Sequence, residues 1–405
     1  MQKTLLVISG GIEAADAARR AKELGYYVVV SDSDHLAPAF QFADSCLIAD
    51  AYGAAETAAA AERFNRKIRK INGVICVAAD APVTAATVAQ RLGLPGISLE
   101  TARLSQDKLA MKQRFFERGV PVPWFAEVAT PQALQRAAIE RGRDLVVKTV
   151  DSRGTSGVQR VAQVADLDKA FWFARSHSPS ERVMVEQYLA GPHVSTESII
   201  VNGACYTPGI CDRNYEDPER HAPFLVDNGG ELPSRLSDEM QSKVRAVVVA
   251  AAAALGVVNG TVNGDVVVQN GEPYVIELNA RLSGGFFCTR EIMLHTGVDY
   301  IAAAIKLALG EQVTPEELVP KHATSVVQRY AFPNAGEVVS IAGAEEARQI
   351  AGVDDVILTV RPGDFIAVAG DKRPSAAMVL TTGASHDEAL RAANNALARI
   401  KISTR

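Results

Sequence analysis

One short segment constrains this chain more than any other part of it. The run from Glu272 to Gly285 begins as an apolar β-strand and then places Glu277, Asn279 and Arg281 at alternate positions. Alternate side chains of a strand share one face, so a carboxylate, an amide and a guanidinium project together. Charged side chains on a buried strand need partners. Two oxygen ligands beside a guanidinium suit a Mg²⁺ ion that holds phosphate oxygens. The alternative is an edge strand whose polar residues face water.

The bulk composition is that of a globular protein with two or three domains. The 405 residues are 48% hydrophobic and 22% charged, with a formal net charge of −5. This charge balance does not indicate nucleic-acid binding, and the sequence contains no Lys/Arg-rich run. The five scattered cysteines are typical of reduced thiols, so we expect a cytoplasmic protein. No signal peptide and no membrane contact are expected, since the N-terminus lacks a leader pattern and no apolar run reaches about 20 residues.

The first hundred residues alternate between strand and helix patterns. Strands are predicted at 4–9, 26–30, 73–77 and 96–98, with helices at 13–24, 54–66 and 82–92. This alternation predicts an α/β unit, an open parallel sheet with helices on both faces. Gly10 and Gly11 predict a tight turn whose N–H groups face a ligand at the carboxyl edge of the sheet.

The remaining residues have an α+β pattern. Predicted features are a helix from Ser105 to Gly119, hairpin turns at Asn202-Gly203 and Asn270-Gly271, helices at 238–255, 300–309 and 386–400, and turns at glycines 336, 343, 363 and 370. The tail after Pro320 is rich in β patterns. We therefore predict domains at residues 1–100, 101–320 and 321–405.

A loop of small residues follows the predicted strand 144–150. Ser152, Gly154, Thr155, Ser156 and Gly157 can bring backbone N–H groups around phosphate oxygens. The lysine on the preceding strand, at position 148, needs an anionic partner if it is buried. The loop does not match the GxxxxGK[ST] pattern, and a mobile hairpin with a solvated lysine explains it equally well.

The segment from Val183 to His193 is a candidate for purine recognition. The carboxylate of Glu186 could accept from an exocyclic amine, and the backbone of Gln187–Leu189 could bond to ring nitrogens. His193 could reach a ribose. The alternatives are a surface charge at the strand end and a loop imidazole.

The hairpin partner of the acidic strand supplies a third oxygen ligand, Asp265. A regular two-residue turn at Asn270-Gly271 would place Asp265 opposite Ile276 and off the face of Glu277. A three-residue turn or a β-bulge would instead place it opposite Glu277. We predict such an offset.

These segments, in this order, resemble the ATP-grasp superfamily from about Gln106 to Gly310. The motifs are Ser105-Gln-Asp-Lys-Leu-Ala-Met-Lys, Val146-Val-Lys148, Val185-Glu-Gln-Tyr-Leu and Val275-Ile-Glu-Leu-Asn-Ala-Arg-Leu-Ser-Gly-Gly. The resemblance implies an ATP-grasp fold with a parallel-sheet pre-ATP-grasp domain, a two-lobed ATP-binding domain and a β-rich C-terminal domain. Residues 321–405 resemble the C-terminal domain of L-amino-acid ligases and their biotin-carboxylase-like relatives.

The resemblance also implies roles for individual residues. Lys108 and Lys148 would contact ATP phosphates under a lid at about 151–157, Glu186 and Gln187–Leu189 would hold adenine, and His193 would lie near ribose. Asp265, Glu277 and Asn279 would bind two Mg²⁺ ions, with Mn²⁺ as a substitute, and Arg281 would steady the transferred phosphoryl group. Many family members carry an acidic residue in place of His193.

The function implied is that of an ATP-dependent ligase. It would activate a carboxylate as an acyl phosphate and join it to an amine; a homodimer is expected from relatives. Alternatives are a carboxylase or formyltransferase-type enzyme using bicarbonate or formate, a purine-pathway-like ligase on a phosphorylated amine, and a noncatalytic nucleotide-binding protein. Asp212, Arg213 or Glu231 could clamp the charged ends of an amino acid, or they could belong to a solvated loop; Arg281 and Arg329 are further carboxylate partners.

Overall fold

The first hundred residues fold around a parallel four-stranded sheet. In this computed structural model, which describes residues 2–142, 144–215, 218–367 and 375–405, the unit contains β1 (Thr4–Ile8), α1 (Ile12–Glu23), β2 (Tyr27–Asp32), β3 (Ser45–Ile48), α2 (Ala54–Lys67), β4 (Gly73–Cys76), α3 (Pro82–Leu92) and α4 (Leu99–Gln106). The strand order is β3–β2–β1–β4. Leu5 and Val7 pack with α1, whereas Leu6 and Ile8 pack with α2 and α3. Helices therefore cover both faces of the sheet, as predicted.

Two details of this unit differ from the sequence prediction. Residues 96–98 do not form a strand, because Ser98 caps α4 by accepting the Thr101 N–H at 3.0 Å. The prediction also lacked β3, whose four residues alternate between partly buried and exposed. A strand this short, with exposed apolar positions, has little pattern to detect.

The next unit is a small lobe built on an antiparallel sheet. It follows α5 (Lys108–Glu117) and contains β5 (Phe125–Val128), α6 (Pro131–Arg141), β6 (Leu145–Thr149), β7 (Gln159–Val161), α7 (Leu167–His177) and β8 (Val183–Gln187). The strand order is β5–β8–β6–β7, and α6 and α7 share its hydrophobic core. The single helix predicted from Ser105 to Gly119 is broken at Asp107, which caps α5 by accepting the Ala110 N–H at 2.8 Å.

The remaining chain forms a large central sheet and its coverings. The elements are β9 (His193–Val201), β10 (Ala204–Arg213), α8 (Pro218–His221), β11 (Gly230–Leu232), α9 (Asp238–Ala254), β12 (Gly260–Gln269), β13 (Glu272–Asn279), α10 (Ile292–Thr296), α11 (Tyr300–Ala308), β14 (Ser325–Ala331), β15 (Gly336–Ala342), α12 (Ala344–Arg348), β16 (Val353–Leu358), β17 (Phe365–Ile366), β18 (Ala377–Gly383), α13 (His386–Arg399) and β19 (Lys401–Thr404). Short 3₁₀ or π turns lie at Pro38–Phe42, Val164–Asp166, Phe287–Glu291 and Pro315–Leu318.

The C-terminal tail is continuous with the central sheet. The order of its eight strands is β13–β12–β9–β10–β11–β14–β18–β16, so strands from beyond position 320 extend the sheet that carries the acidic strand. A second sheet, β17–β15–β19, completes the tail. The turn predicted at Gly370 lies outside the described residues. None of the helices in the described ranges combines the length and apolar character that a bilayer crossing requires.

Candidate active site

A β-bulge brings two acidic side chains opposite each other. Asn270 and Gly271 form a two-residue turn with positive φ angles of 53° and 79°, and pairing runs regularly from Gln269–Glu272 to Val266–Val275. The register then shifts by one residue, so Asp265 pairs with Glu277. The predicted offset is confirmed, and the bulge rather than a longer turn produces it.

The two acids have different partners. Asp265 accepts a short hydrogen bond from Ser195 on the neighbouring strand, and Ser195 also accepts from Arg213 Nε at 2.7 Å. Glu277 accepts from the Asn279 amide nitrogen at 3.0 Å and lies 3.8 Å from the Lys108 ammonium. Burial raises the pKa of Glu277, but the charges of Lys108 and Lys148 outweigh it and hold the pKa below its usual value. Glu277 is therefore ionised at neutral pH.

Lys108 joins the acidic strand to the glycine-rich loop. Its ammonium donates to the Ser152 carbonyl at 2.7 Å, as well as lying near Glu277. Lys108 is the first residue of α5, and the cap on that helix also pairs with Arg182 of the small lobe at 2.7 Å. The start of α5 therefore contacts the acidic strand through Lys108 and the small lobe through Asp107.

A buried carboxylate holds two further lysines. Glu186 accepts from Lys148 at 2.5 Å, and Lys112 lies 2.9 Å from its other oxygen. Burial alone would raise the pKa of Glu186, but the two ammonium groups lower it. Since both oxygens already face lysines, this arrangement does not leave Glu186 free for the predicted bond to an adenine amine, and it favours a role in holding the lysines.

The glycine-rich loop rests on the N-terminal unit. The Arg153 guanidinium stacks on the Tyr52 ring, 3.5 Å from its centroid. Thr155 has a positive φ of 63°. At Gly157, with φ of 76°, a Cβ atom would lie 2.5 Å from the Thr149 methyl, so only glycine fits there. Gly157 therefore shapes the loop through packing.

The segment between β8 and β9 lies beside the cleft. The backbone N–H groups of Gln187 and Tyr188 donate to the carbonyls of Trp124 and Asp144, at 2.9 and 3.0 Å. Because these two N–H groups already have acceptors, Leu189 is the residue of the predicted adenine-binding segment whose N–H could bond to the ring. His193 packs edge-on against Tyr215, with ring centroids 4.9 Å apart, and burial lowers the pKa of the imidazole.

Arg281 connects the acidic strand to the N-terminal unit. Its Nε lies 3.3 Å from the Asp80 carboxylate, and its Nη1 donates to the Leu282 carbonyl at 3.1 Å. Val77, just after β4, forms a parallel bridge with Leu282. The carboxyl edge of the parallel sheet therefore supplies one wall of the site through Asp80. The Gly10–Gly11 turn does not line this cavity, and the Gly10 N–H, predicted to face a ligand, donates to Asp32 at 2.6 Å.

One cavity of about 210 Å³ gathers most of the predicted residues. Those that line it are Lys108, Lys148, Ser152, Gly154, Thr155, Ser156, Glu186, Gln187, Leu189, His193, Arg213, Asp265, Glu277 and Arg281. The walls come from both lobes and from the N-terminal unit. Such a cleft can hold an elongated anionic ligand, because the lysines attract it and the carboxylates can bind a cation that bridges to it.

Two predicted substrate residues, Asp212 and Glu231, make contacts that hold the fold together. Asp212 accepts from the Ser234 hydroxyl at 2.5 Å and from the Arg235 N–H at 2.8 Å. Glu231 pairs with Arg235 at 2.9 Å, with His386 at 2.6 Å and with the buried Arg329. These contacts tie the C-terminal tail to the central sheet. They also engage Arg329, the further carboxylate partner considered, whereas Arg213 faces the main cavity. Asp212 and Glu231 also line a second cavity of about 510 Å³ together with Arg213, so their assignment to substrate stays a prediction.

Sequence reasoning missed several charged residues of this region, among them Asp227, which lines the cavity and lies 3.5 Å from Arg213. Asp80 follows the short strand β4 without a recognisable motif, so no pattern signals its contact with Arg281. Lys112 stands in the quoted motif one helical turn after Lys108, and its place on an apolar helix face next to Met111 and Phe115 was a usable signal.

The donor set fits a hard divalent cation. Asp265 and Glu277 offer carboxylate oxygens, and Asn279 uses its nitrogen toward Glu277, which leaves its amide oxygen as a third ligand. Within the described ranges, no cluster of three His, Cys, Asp or Glu side chains suited to a metal is found. Any ion here would complete its coordination with ligand oxygens, which is characteristic of Mg²⁺ bound with phosphates.

Comparisons with known families agree with this geometry. Residues 105–285 match the ATP-grasp domain, and residues 329–405 match the L-amino acid ligase C-terminal domain 2. An uncharacterized protein of Sinorhizobium fredii is 30% identical over 305 residues, 74% of this chain and 62% of that protein. A D-alanine–D-alanine ligase of Desulforudis audaxviator is 28% identical over 46% of this chain and 63% of its own. The chain thus spans about three fifths of the length of these relatives.

Solved structures share the whole architecture. An L-amino acid ligase from Bacillus licheniformis superposes with a TM-score of 0.84 at 21% identity, covering 100% of this chain and 99% of that one. A biotin carboxylase from Campylobacter jejuni gives a TM-score of 0.74 at 21% identity, with 100% and 92% covered. At these identities the likeness concerns the fold. Together with the matched domains, it shows that the chain contains an ATP-grasp domain and has the ATP-grasp fold.

Proposed function

We propose that this chain is an ATP-dependent ligase that joins the carboxylate of an amino acid to an amine. The observation that carries the proposal is the single cleft in which Lys108 and Lys148 face the paired acids Asp265 and Glu277. A tail that matches an L-amino acid ligase domain favours an amino acid as the acid. The products would be the amide, ADP and phosphate.

The residues of the cleft suit phosphoryl transfer to a carboxylate. The lysines and the loop at 151–157 would align the triphosphate, while the segment near Leu189 would hold adenine and His193 would lie by the ribose. Asp265, Glu277 and Asn279 would hold two Mg²⁺ ions, or Mn²⁺ in their place, which when bound neutralise phosphate charge.

Two bond exchanges complete the proposed reaction. A carboxylate oxygen attacks the γ-phosphorus as the bond to ADP breaks, and this gives an acyl phosphate. The amine then attacks the acyl carbon, phosphate leaves with the C–O bonding pair, and the amine loses a proton. Arg281 would stabilise the negative charge that develops on the acyl oxygen.

Phosphate release from ATP tests the proposal against its alternatives. The purified chain is assayed with Mg²⁺ and with single amino acids, pairs of amino acids, bicarbonate or formate. Release that requires pairs supports amino-acid ligation, with the dipeptide identified by mass spectrometry. Release with bicarbonate or formate alone would favour the carboxylase or formyltransferase type, and no release with any acid would favour a binding protein. A homodimer is a separate proposal, which sedimentation analysis would test.

A further inference from the structure

A fully buried lysine lies just behind the nucleotide cleft. The side chain of Lys112 has no solvent exposure, and the residues that line the cavity do not include it. Its ammonium lies 2.9 Å from Glu186 and 3.5 Å from the Val275 carbonyl. Removing a charge from water is unfavourable unless strong partners replace the water. A methionine or leucine would suit this apolar helix face, so the charge needs another explanation.

Glu186 is shared between Lys112 and a lysine that faces the cleft. Lys148 donates to one carboxylate oxygen and lines the cavity, whereas Lys112 occupies the other oxygen from outside it. Two ammonium groups and one carboxylate leave one net positive charge in the group. Burial lowers the pKa of Lys112 to about 8, and Glu186 opposes this, so most Lys112 carries its charge at pH 7.

We propose that Lys112 is a positioning residue for nucleotide binding, which holds Glu186 so that Lys148 keeps an uncompensated positive charge toward the phosphates. Without Lys112, Glu186 would pair with Lys148 alone. That neutral pair would attract phosphate oxygens less strongly, and Glu186 would keep the Lys148 ammonium away from them. The inference rests on the proposed function in one respect, namely that the cleft binds a nucleotide.

The arrangement of α5 supports this role. Lys108 and Lys112 are four residues apart and therefore project from one face of the helix. Lys108 meets Ser152 and Glu277 at the cleft, while Lys112 meets Glu186 one turn further along. The same helix thus sets the position of both lysines that face the phosphates, one directly and the other through Glu186.

The test is equilibrium binding of a fluorescent ADP analogue with Mg²⁺ and no amino acid. We expect Lys112→Met to weaken binding at least tenfold, whereas Lys112→Arg, which keeps the charge, stays within threefold. Adding Glu186→Gln to Lys112→Met should restore a substantial part of the affinity, because Lys148 then has no anion to neutralise it. Lys243→Met, which removes an exposed lysine paired with Glu272, is the matched control and should bind normally.

The double variant separates positioning from a purely structural role. A structural role predicts that removing both partners binds no better than Lys112→Met, and that result overturns the inference, as does wild-type affinity in Lys112→Met. Should Lys112→Met fail to fold by circular dichroism, a tenfold loss in folded Lys112→Arg would also overturn it. Absence of nucleotide binding in the wild-type chain would instead count against the proposed function.

Discussion

Glu197 makes the stability of this fold depend on pH in a direction that can be calculated. It is fully buried on β9, where it accepts the Ser283 N–H at 2.9 Å and so holds the loop that follows the acidic strand. Burial raises the pKa of this carboxyl from 4.5 to about 7. Between those two pH values the folded chain retains a proton that the unfolded chain releases, so rising pH favours unfolding.

The interval sets the size of the effect. The two pKa values differ by about 2.5, and one pKa unit corresponds to about 1.4 kcal/mol, so the full effect is about 3.5 kcal/mol. This stability is present below the pKa of the unfolded chain and is lost as the pH rises through about 7. Glu197→Gln keeps the acceptor for Ser283 but cannot ionise, so it should not show the loss.

Urea unfolding of the two proteins at several pH values measures the difference. We expect the free energy of unfolding of the wild type, relative to Glu197→Gln, to fall by about 2–3 kcal/mol between about pH 5 and pH 8.5. Glu62→Gln, on the exposed face of α2, is the control and should follow the wild type. Parallel curves for wild type and Glu197→Gln would refute the reasoning.

Three substitutions test the cleft itself. Glu277→Ala should abolish turnover with the fold intact, because it removes an acid proposed to bind Mg²⁺; near-wild-type ATP consumption at saturating Mg²⁺ and substrate would rule out that role. Lys148→Ala should cause a large loss of ATP affinity or rate, and unchanged kinetics would remove it from the site. Glu186→Gln should destabilise the chain by at least about 3 kcal/mol in thermal or urea unfolding, since it leaves two buried ammonium groups facing a neutral amide. Glu272→Gln, whose exposed pair with Lys243 is worth about 0–1 kcal/mol, is the control, and equal effects of the two would contradict the burial argument.

Much of the fold follows from local patterns in the sequence. Buried strands such as β1 and turns such as Asn202-Gly203 carry strong signals, because continuous apolar runs and positive φ angles each restrict the residues that fit. The edge strand β3 and the break at Asp107 carry weak ones. The extension of the central sheet by the C-terminal tail depends on pairing between distant strands, which periodicity does not encode.

The site was predictable where ligand chemistry requires a residue type, and less so where residues serve one another. Lys108, Lys148 and Glu277 were predicted because charged residues within apolar segments need a ligand or a partner, and all three line the cleft. The contacts of Asp212 and Glu231 were not predicted, because their partners, Ser234 and the tail residue His386, adjoin them only after folding. An ionic network between distant segments cannot be read from either segment alone.

The extra residue, Ile276, divides the hairpin into two halves whose strand pairing differs in register by one residue. Replacing Asn270-Gly271 with another two-residue turn would leave Asp265 facing Glu277, since the phase of the inner half is set downstream of the tip. Removing Ile276 alone would close the bulge and place Glu277 at the regular position opposite Asp265, so the two acids would remain paired. Both changes therefore keep the two acids opposite each other, and it is the local bend of the strand that depends on Ile276.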